Sequence, residues 1–227
     1  PPANPANTSI VWHGGHLLAL NEGGRPFALD PDSLETLGEF DYSGELSQFN
    51  MFSAHGKIHP RTGQYFNFGM SIAGINRQGI KPGLSIYRIS PSGKLEKKKT
   101  ISVDCFPFCH DFALSDKHAV FFLSSIRVEH LGKIILGSRT MADCTHFDAS
   151  APMQIIVVDL DSLDVVLRTQ TAPGAVVHFG NSWEDDRYIH IDAMFIDNFD
   201  ANDKLKDIWH ADALGGGKFI RYKVELA

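Results

Sequence analysis

Ala28-Leu29-Asp30-Pro31-Asp32-Ser33-Leu34-Glu35-Thr36 and Val158-Asp159-Leu160-Asp161-Ser162-Leu163-Asp164-Val165 follow one plan. Each has an apolar strand, an acidic turn and a second strand. Ile86–Leu95, turning through Ser90-Pro91-Ser92-Gly93, is a looser copy. A strand–turn–strand unit recurring at such intervals fits a β-propeller, whose blades run on the order of 40–50 residues. It fits a generic all-β sandwich with common Asp-Pro turns equally well. Either way the fold class is all-β.

The rest of the chain agrees with that class. Helical periodicity is scarce, and short strand-like runs alternate with Gly, Pro, Asn and Asp. His16–Leu20 and Pro26–Asp30 flank Glu22-Gly23-Gly24 and read as a hairpin. Gln64–Phe68 follows the turn Thr62-Gly63, and Leu84–Ile89 and Leu95–Val103 flank Pro91-Ser92-Gly93. His118–Leu123, Gln154–Leu160 and Val165–Thr169 read as further strands. Tyr188–Ala193 alternates, with Ile189, Ile191 and Ala193 on one face and Tyr188, His190 and Asp192 on the other. Phe219–Leu226 reads as the last strand and resembles the opening of one more unit. A chain that opens on Pro1-Pro2-Ala3 and stops at Ala227, where a turn belongs, is expected to be a piece of a longer one with an unpaired strand edge.

Bulk properties narrow the partners. Apolar residues make up 43% and charged residues 21%, the balance of a globular chain with a sizeable core. A net charge of -6 argues against nucleic acid, which wants a basic face. The one basic run, Lys97-Lys98-Lys99, suits a solvated strand edge. Three cysteines, with Cys105 and Cys109 four apart and no second pair, make neither a disulfide framework nor a zinc site, so reduced thiols in a cytoplasmic setting are expected. No apolar run reaches the roughly 18 residues of a spanning helix, and no signal peptide is recognisable.

The eleven histidines carry the chemistry, and no two have a compact metal-binding spacing. A site built from them gathers ligands from distant strands. Taken singly, each has an ordinary reading. His55 and His59 suit polar loops. His110, in Phe106-Pro107-Phe108-Cys109-His110-Asp111-Phe112, suits a satisfied core position. His178, after Ala175-Val176-Val177, suits a strand end. A carboxylate or amide lies close to each, as a metal-bound imidazole requires to fix its tautomer.

Four ordered blocks resemble the carotenoid cleavage oxygenase family, which includes the apocarotenoid and lignostilbene dioxygenases. Asn7–Gly38 resembles its opening. Phe52-Ser53-Ala54-His55-Gly56-Lys57 with Pro60-Arg61-Thr62-Gly63 resembles its first histidine motif. Phe108-Cys109-His110-Asp111-Phe112-Ala113-Leu114 resembles its second, His-Asp-Phe. Pro173–Glu184 resembles its third, His-x-x-Asn-x-x-Glu. The likeness is weakest at 127–149 and 195–215, where loops are expected.

The resemblance implies a seven-bladed propeller, of which residues 1–227 are a part lacking the N- and C-terminal parts of the family domain. It implies Fe(II) on four axial histidines, with His55, His110 and His178 matching three of them. Glu22 matches an outer glutamate that orients a ligand, and no residue here matches the fourth histidine. His190 and His210 lack the motif. The implied activity is O2-dependent cleavage of a C=C double bond in a carotenoid, apocarotenoid or stilbene-like substrate to two carbonyl products. An apolar tunnel would hold the substrate. Phe106, Phe108, Phe112 and Phe179 are candidates for its lining, with plain core packing as the competing reading. Peripheral membrane contact for substrate uptake belongs to the same expectation. The other readings are a non-catalytic propeller module and an inactive fragment of such an enzyme, for which the isolated chain would bind Fe(II) weakly. Asn21 stands where relatives often carry Trp or Lys, Ser182 where Ala is usual, and Gly56 where Pro commonly follows the histidine.

Overall fold

The computed structural model describes residues 4–77, 79–106, 108–200, 204, 209–210 and 216–226. They cluster into two units. One holds the described residues up to Asp104 together with Leu160–Leu163. The other holds Cys105–Asp159 and the described residues from Asp164 onward.

The first unit is two antiparallel four-stranded meanders. β1 (Ser9–His13), β2 (His16–Leu20), β3 (Phe27–Leu29) and β4 (Thr36–Glu39) lie side by side in chain order, as do β5 (Lys57–Ile58), β6 (Tyr65–Asn76), β7 (Gly79–Ile89) and β8 (Leu95–Ser102). Tyr42, Phe52, Tyr65 and Tyr87 fill the core together with Leu18, Leu20 and Ile89. Phe52 lies 5.6 Å from Tyr42 and 5.4 Å from Tyr87, centroid to centroid. Burial drives the phenol pKa values of Tyr42 and Tyr65 above their ordinary 10 and pushes Tyr87 up to about 12.

The second unit repeats the plan with an insertion. β9 (Ala113–Leu114) and β10 (His118–Leu123) precede a ribbon of β11 (Ile126–Val128) and β12 (Thr145–Phe147), which carries the short helix α1 (Leu131–Ile135) and a 3-10 turn at Ala142–Cys144. β13 (Met153–Asp159) then pairs with β10 and with β14 (Val165–Thr171), giving the order β14-β13-β10-β9. β15 (Ala175–Glu184), β16 (Tyr188–Ile196) and β17 (Lys218–Glu225) form a three-stranded meander in which β17 is the outer described strand. The expected alternation of β16 holds, since Ile189, Ile191 and Ala193 are fully buried against Val120, Phe122 and Val157. Each of the two isoleucines contributes about 1.5–3 kcal/mol of burial.

The sequence repeat is the turn between the third and fourth strands of each four-stranded sheet. Leu34 and Leu163 both adopt left-handed backbone, φ 61° and 54°. Asp30 N donates to Glu35 O at 2.9 Å and Asp159 N to Asp164 O at 3.0 Å. The looser copy closes one residue sooner, Ser90 N to Lys94 O at 2.8 Å, and places Gly93 at φ 83°. The Asp30 carboxylate accepts from Ser33 N, Ser33 Oγ and Asp32 N, which holds its pKa below the usual carboxylate range.

Two expectations are revised. Gln64–Phe68 falls at the start of β6, which runs twelve residues, with Gly69 and Gly74 inside it and a register shift between Ile72 and Gly74. Residues 127–149 hold the β11–β12 ribbon and α1 rather than plain loop. Residues 201–203, 205–208 and 211–215 of the other expected loop region, the opening residues 1–3, and Ala227 lie outside the described residues.

Candidate metal centre

His55 follows a segment that the first unit grips by its backbone. Asn67, only 1% exposed, donates from Nδ2 to Ser53 O at 2.8 Å and accepts from Ser53 N at 2.8 Å. Ser53 Oγ in turn accepts from His55 N at 3.0 Å, and Ser9 Oγ donates to Ala54 O. Upstream, Tyr87 donates its hydroxyl to Met51 O at 3.1 Å. Two glycines allow these close approaches. A Cβ at Gly69 would strike Met51 O, and one at Gly56 would strike the Tyr65 hydroxyl and the Asn67 amide. The departure from Pro at position 56 therefore has a steric cause in this chain. His59 is 2% exposed, and its Nδ1 accepts from Arg61 N and Thr62 N, both at 3.2 Å, so its buried ring caps a turn whose Arg61 and Thr62 are exposed.

Glu22 lies, half-buried, in the turn that leaves β2. Asn21 shapes that turn: its Oδ1 accepts from Gly23 N at 2.9 Å and its Nδ2 donates to Thr8 Oγ1 at 3.2 Å. A short amide at position 21 thus acts as a turn-former, a part that neither Trp nor Lys could play.

In the second unit His110 and His178, sixty-eight positions apart, are brought together. Their ring centroids lie 4.9 Å apart with the planes at 75°. His178 is exposed and His110 half-buried. β15 slips register between Val176 and His178, and again between Phe179 and Ser182. A strict period of two would put Val176, His178, Ser182 and Glu184 on one face. The slips instead pair His178 with exposed Met194, whereas Val176, Ser182 and Glu184 pair with the core-facing Phe195, Ile191 and Ile189. Glu184 accordingly leaves the histidine motif it belongs to in sequence and pairs with His118, 2.7 Å away. Ser182 donates to Leu114 O.

The four phenylalanines divide. Phe112 is 1% exposed and stacks on Phe121 at 5.2 Å and 15°. Phe179 packs on the core, 5.3 Å from Phe122. Phe108 meets Phe199 edge-on at 5.4 Å, and Phe106 is half-buried. Outside the motifs, His190 stacks on Trp183 at 5.0 Å and pairs with Asp185 at 2.7 Å, so it is committed to a surface cluster.

The donor chemistry of the histidines suits a divalent transition metal, for which imidazole is a good ligand. No disulfide forms among the described residues, and Cys105, Cys109 and Cys144 are thiols.

The family model of the retinal pigment epithelial membrane protein, RPE65, matches residues 1–226. The chain belongs to the RPE65 family of carotenoid cleavage oxygenases. It is 31% identical to apocarotenoid-15,15'-oxygenase of Synechocystis over 99% of its own length and 46% of that relative's. It is 30% identical to carotenoid cleavage oxygenase 1 of Neurospora crassa over 93% of its length and 38% of that relative's. Cobalt-substituted Synechocystis ACO superposes with a TM-score of 0.81 at 28% identity, covering 98% of this chain and 47% of that one. The fold is thus the β-propeller of the RPE65 family, seven-bladed in its members, of which this chain covers a part. The chain spans about half the length of the RPE65-family relatives it matches.

Proposed function

We propose that the whole protein is a non-haem Fe(II) dioxygenase that cleaves a C=C double bond of an apolar conjugated alkene with O2 to give two carbonyl products. The observation that carries this reading is the pairing of His110 and His178, each inside a family histidine motif, ring against ring in one unit. His55, in the other unit, completes the proposed set through its place in the family's first histidine motif. A fourth ligand would come from outside these residues. Bound there, Fe(II) supplies the activation of O2 beside the alkene. The protein's own residues set the stage for it. Asn67 and Gly56 fix the His55 segment, the register slips of β15 turn His178 away from the core, and Glu22 orients a ligand imidazole. Phe106 and Phe108 remain as candidates for the tunnel lining. Relatives matched by the chain include a lignostilbene dioxygenase isozyme of Sphingomonas paucimobilis as well as the carotenoid enzymes. The substrate is therefore proposed at the level of a carotenoid, apocarotenoid or stilbene-like alkene.

A cytoplasmic protein with peripheral membrane contact completes the reading. No described helix is long and apolar enough to cross a membrane. At the tip of the β6–β7 hairpin, Ile72, Ile75 and Ile80 are 54%, 79% and 55% exposed. Ile75 pairs with Ile80 and Ile72 with Pro82, one apolar face, with exposed Arg77 and Lys81 nearby. An apolar tip with flanking cations suits the headgroup region of an anionic bilayer.

The test is metal analysis and product analysis on the full-length protein. Stoichiometric iron, lost in His55→Ala, His110→Ala and His178→Ala, and two carbonyl products formed only with O2, are expected. A full-length protein that takes up no iron would sink the proposal.

A further inference from the structure

We infer that Asp111 is a positioning residue that fixes His178 relative to His110; the inference rests on the metal-site reading above. Asp111 directly follows His110 and is 4% exposed. Its Oδ1 accepts from Phe112 N at 2.7 Å, and its Oδ2 accepts from Phe179 N at 3.1 Å. Phe179 directly follows His178. One buried carboxylate, on the residue after His110 and anchored to its own chain at Phe112 N, therefore holds the peptide that carries His178. It does so where a grip is needed, because β15 slips register on both sides of the His178–Phe179 pair and the ladder there is least regular.

The chemistry asks for a carboxylate. Two N–H donors arriving from different segments need two acceptor oxygens, and charge makes both bonds stronger than neutral ones. An asparagine offers one acceptor and turns an NH2 toward the second donor. Asp111→Asn keeps one bond at most, and Asp111→Ala keeps neither. In both, the peptide carrying His178 gains freedom while the two ligand side chains are intact.

Co(II) binding to the full-length protein tests this, read by titration and by the ligand-field absorption bands. Asp111→Ala is expected to weaken binding about 10–100-fold, the usual cost of losing a group that orients a ligand, and to shift the bands. Asp111→Asn falls between it and the wild type. Ser182→Ala is the control: it removes another side chain–backbone bond from β15, to Leu114 O, without touching the peptides beside the histidines. It is expected to keep the wild-type affinity and spectrum even if it melts earlier. Should Asp111→Ala not fold, Asp111→Asn carries the test. Wild-type affinity and spectrum in the Asp111 variants, with His110→Ala and His178→Ala abolishing binding, overturn the inference and leave the metal site standing. A wild-type protein that takes up neither Co(II) nor Fe(II) overturns the site and the inference with it.

Discussion

Glu184 Oε2 lies 2.7 Å from His118 Nδ1, and Ser115 Oγ donates to the same oxygen at 3.2 Å. The side chains are 7% and 14% exposed for Glu184 and His118, so the contact is nearly dry. It ties the end of β15 to the start of β10, behind the strand that presents His178. Removing one member leaves the other buried without its hydrogen-bond partner, which costs about 1–3 kcal/mol. Glu184→Ala is expected to lower the stability of the protein by that order in urea unfolding. Glu184→Gln should lose less, because its amide oxygen still accepts from His118 and Ser115. A Glu184→Ala protein within about 0.5 kcal/mol of wild type, the range of an ordinary surface change, would show that the pair does not hold the strand.

Much of this was legible in the sequence. The Asp-rich turns announce themselves because their hydrogen bonds are local. Asp30 bonds residues two and three positions on, so composition and geometry coincide. The histidine motifs were legible through family resemblance. What stayed hidden is what depends on register. No local signal says that β15 slips twice, so the parity that separates His178 from Glu184 cannot be counted off the chain. Asn67 gives no hint of its role either, since its partner Ser53 lies fourteen residues away. Nothing local marks Gly56 and Gly69 as close-approach positions either, because the ring and the backbone they accommodate, Tyr65 and Met51, lie elsewhere in the chain.

Leu34 and Leu163 share a left-handed backbone and differ in burial, at 64% and 0% exposed. Left-handed φ costs an ordinary L-residue roughly 1–2 kcal/mol, and Asn tolerates it better. Leu34→Asn is expected to stabilise the protein by about 0.5–1 kcal/mol, since little packing is lost. Leu163→Asn makes the same backbone change and should destabilise by about 2–5 kcal/mol, because it empties a fully buried leucine site. Thermal denaturation of the two variants settles the signs. Two changes of the same sign would mean that burial does not decide the matter.

Asp185 offers a pH test. The His190 imidazole at 2.7 Å and the N–H groups of Arg187 and Tyr188 lower its pKa from the ordinary 3.8 to about 2. A carboxylate depressed in the folded state stabilises it fully above the unfolded value. That contribution fades as pH falls from about 3.8 and is gone below about 2. Asp185→Asn retains an acceptor for the backbone and gives up the charge. Its melting temperature should therefore lie below wild type at about pH 5, with the two curves converging as the pH drops toward 2. A margin that grows on acidification would contradict the assignment.

The hairpin tip separates two forces that bring a protein to a membrane. Ile75 is 79% exposed opposite Ile80, on the apolar face of the tip. Burying such a side chain in the acyl boundary contributes about 1.5–3 kcal/mol, roughly a tenfold or larger factor in partitioning. Ile75→Asp should reduce co-sedimentation with vesicles of any headgroup by at least about tenfold, because it removes apolar contact and adds a charge. Arg77→Glu with Lys81→Glu should weaken binding to anionic vesicles alone, and high salt should mimic it, because that attraction is screened within a Debye length. Both variants lie in a solvent-facing hairpin away from the core, so stability and metal binding should be those of the wild type. Unchanged sedimentation of Ile75→Asp with both neutral and anionic vesicles would rule the hairpin tip out as the contact.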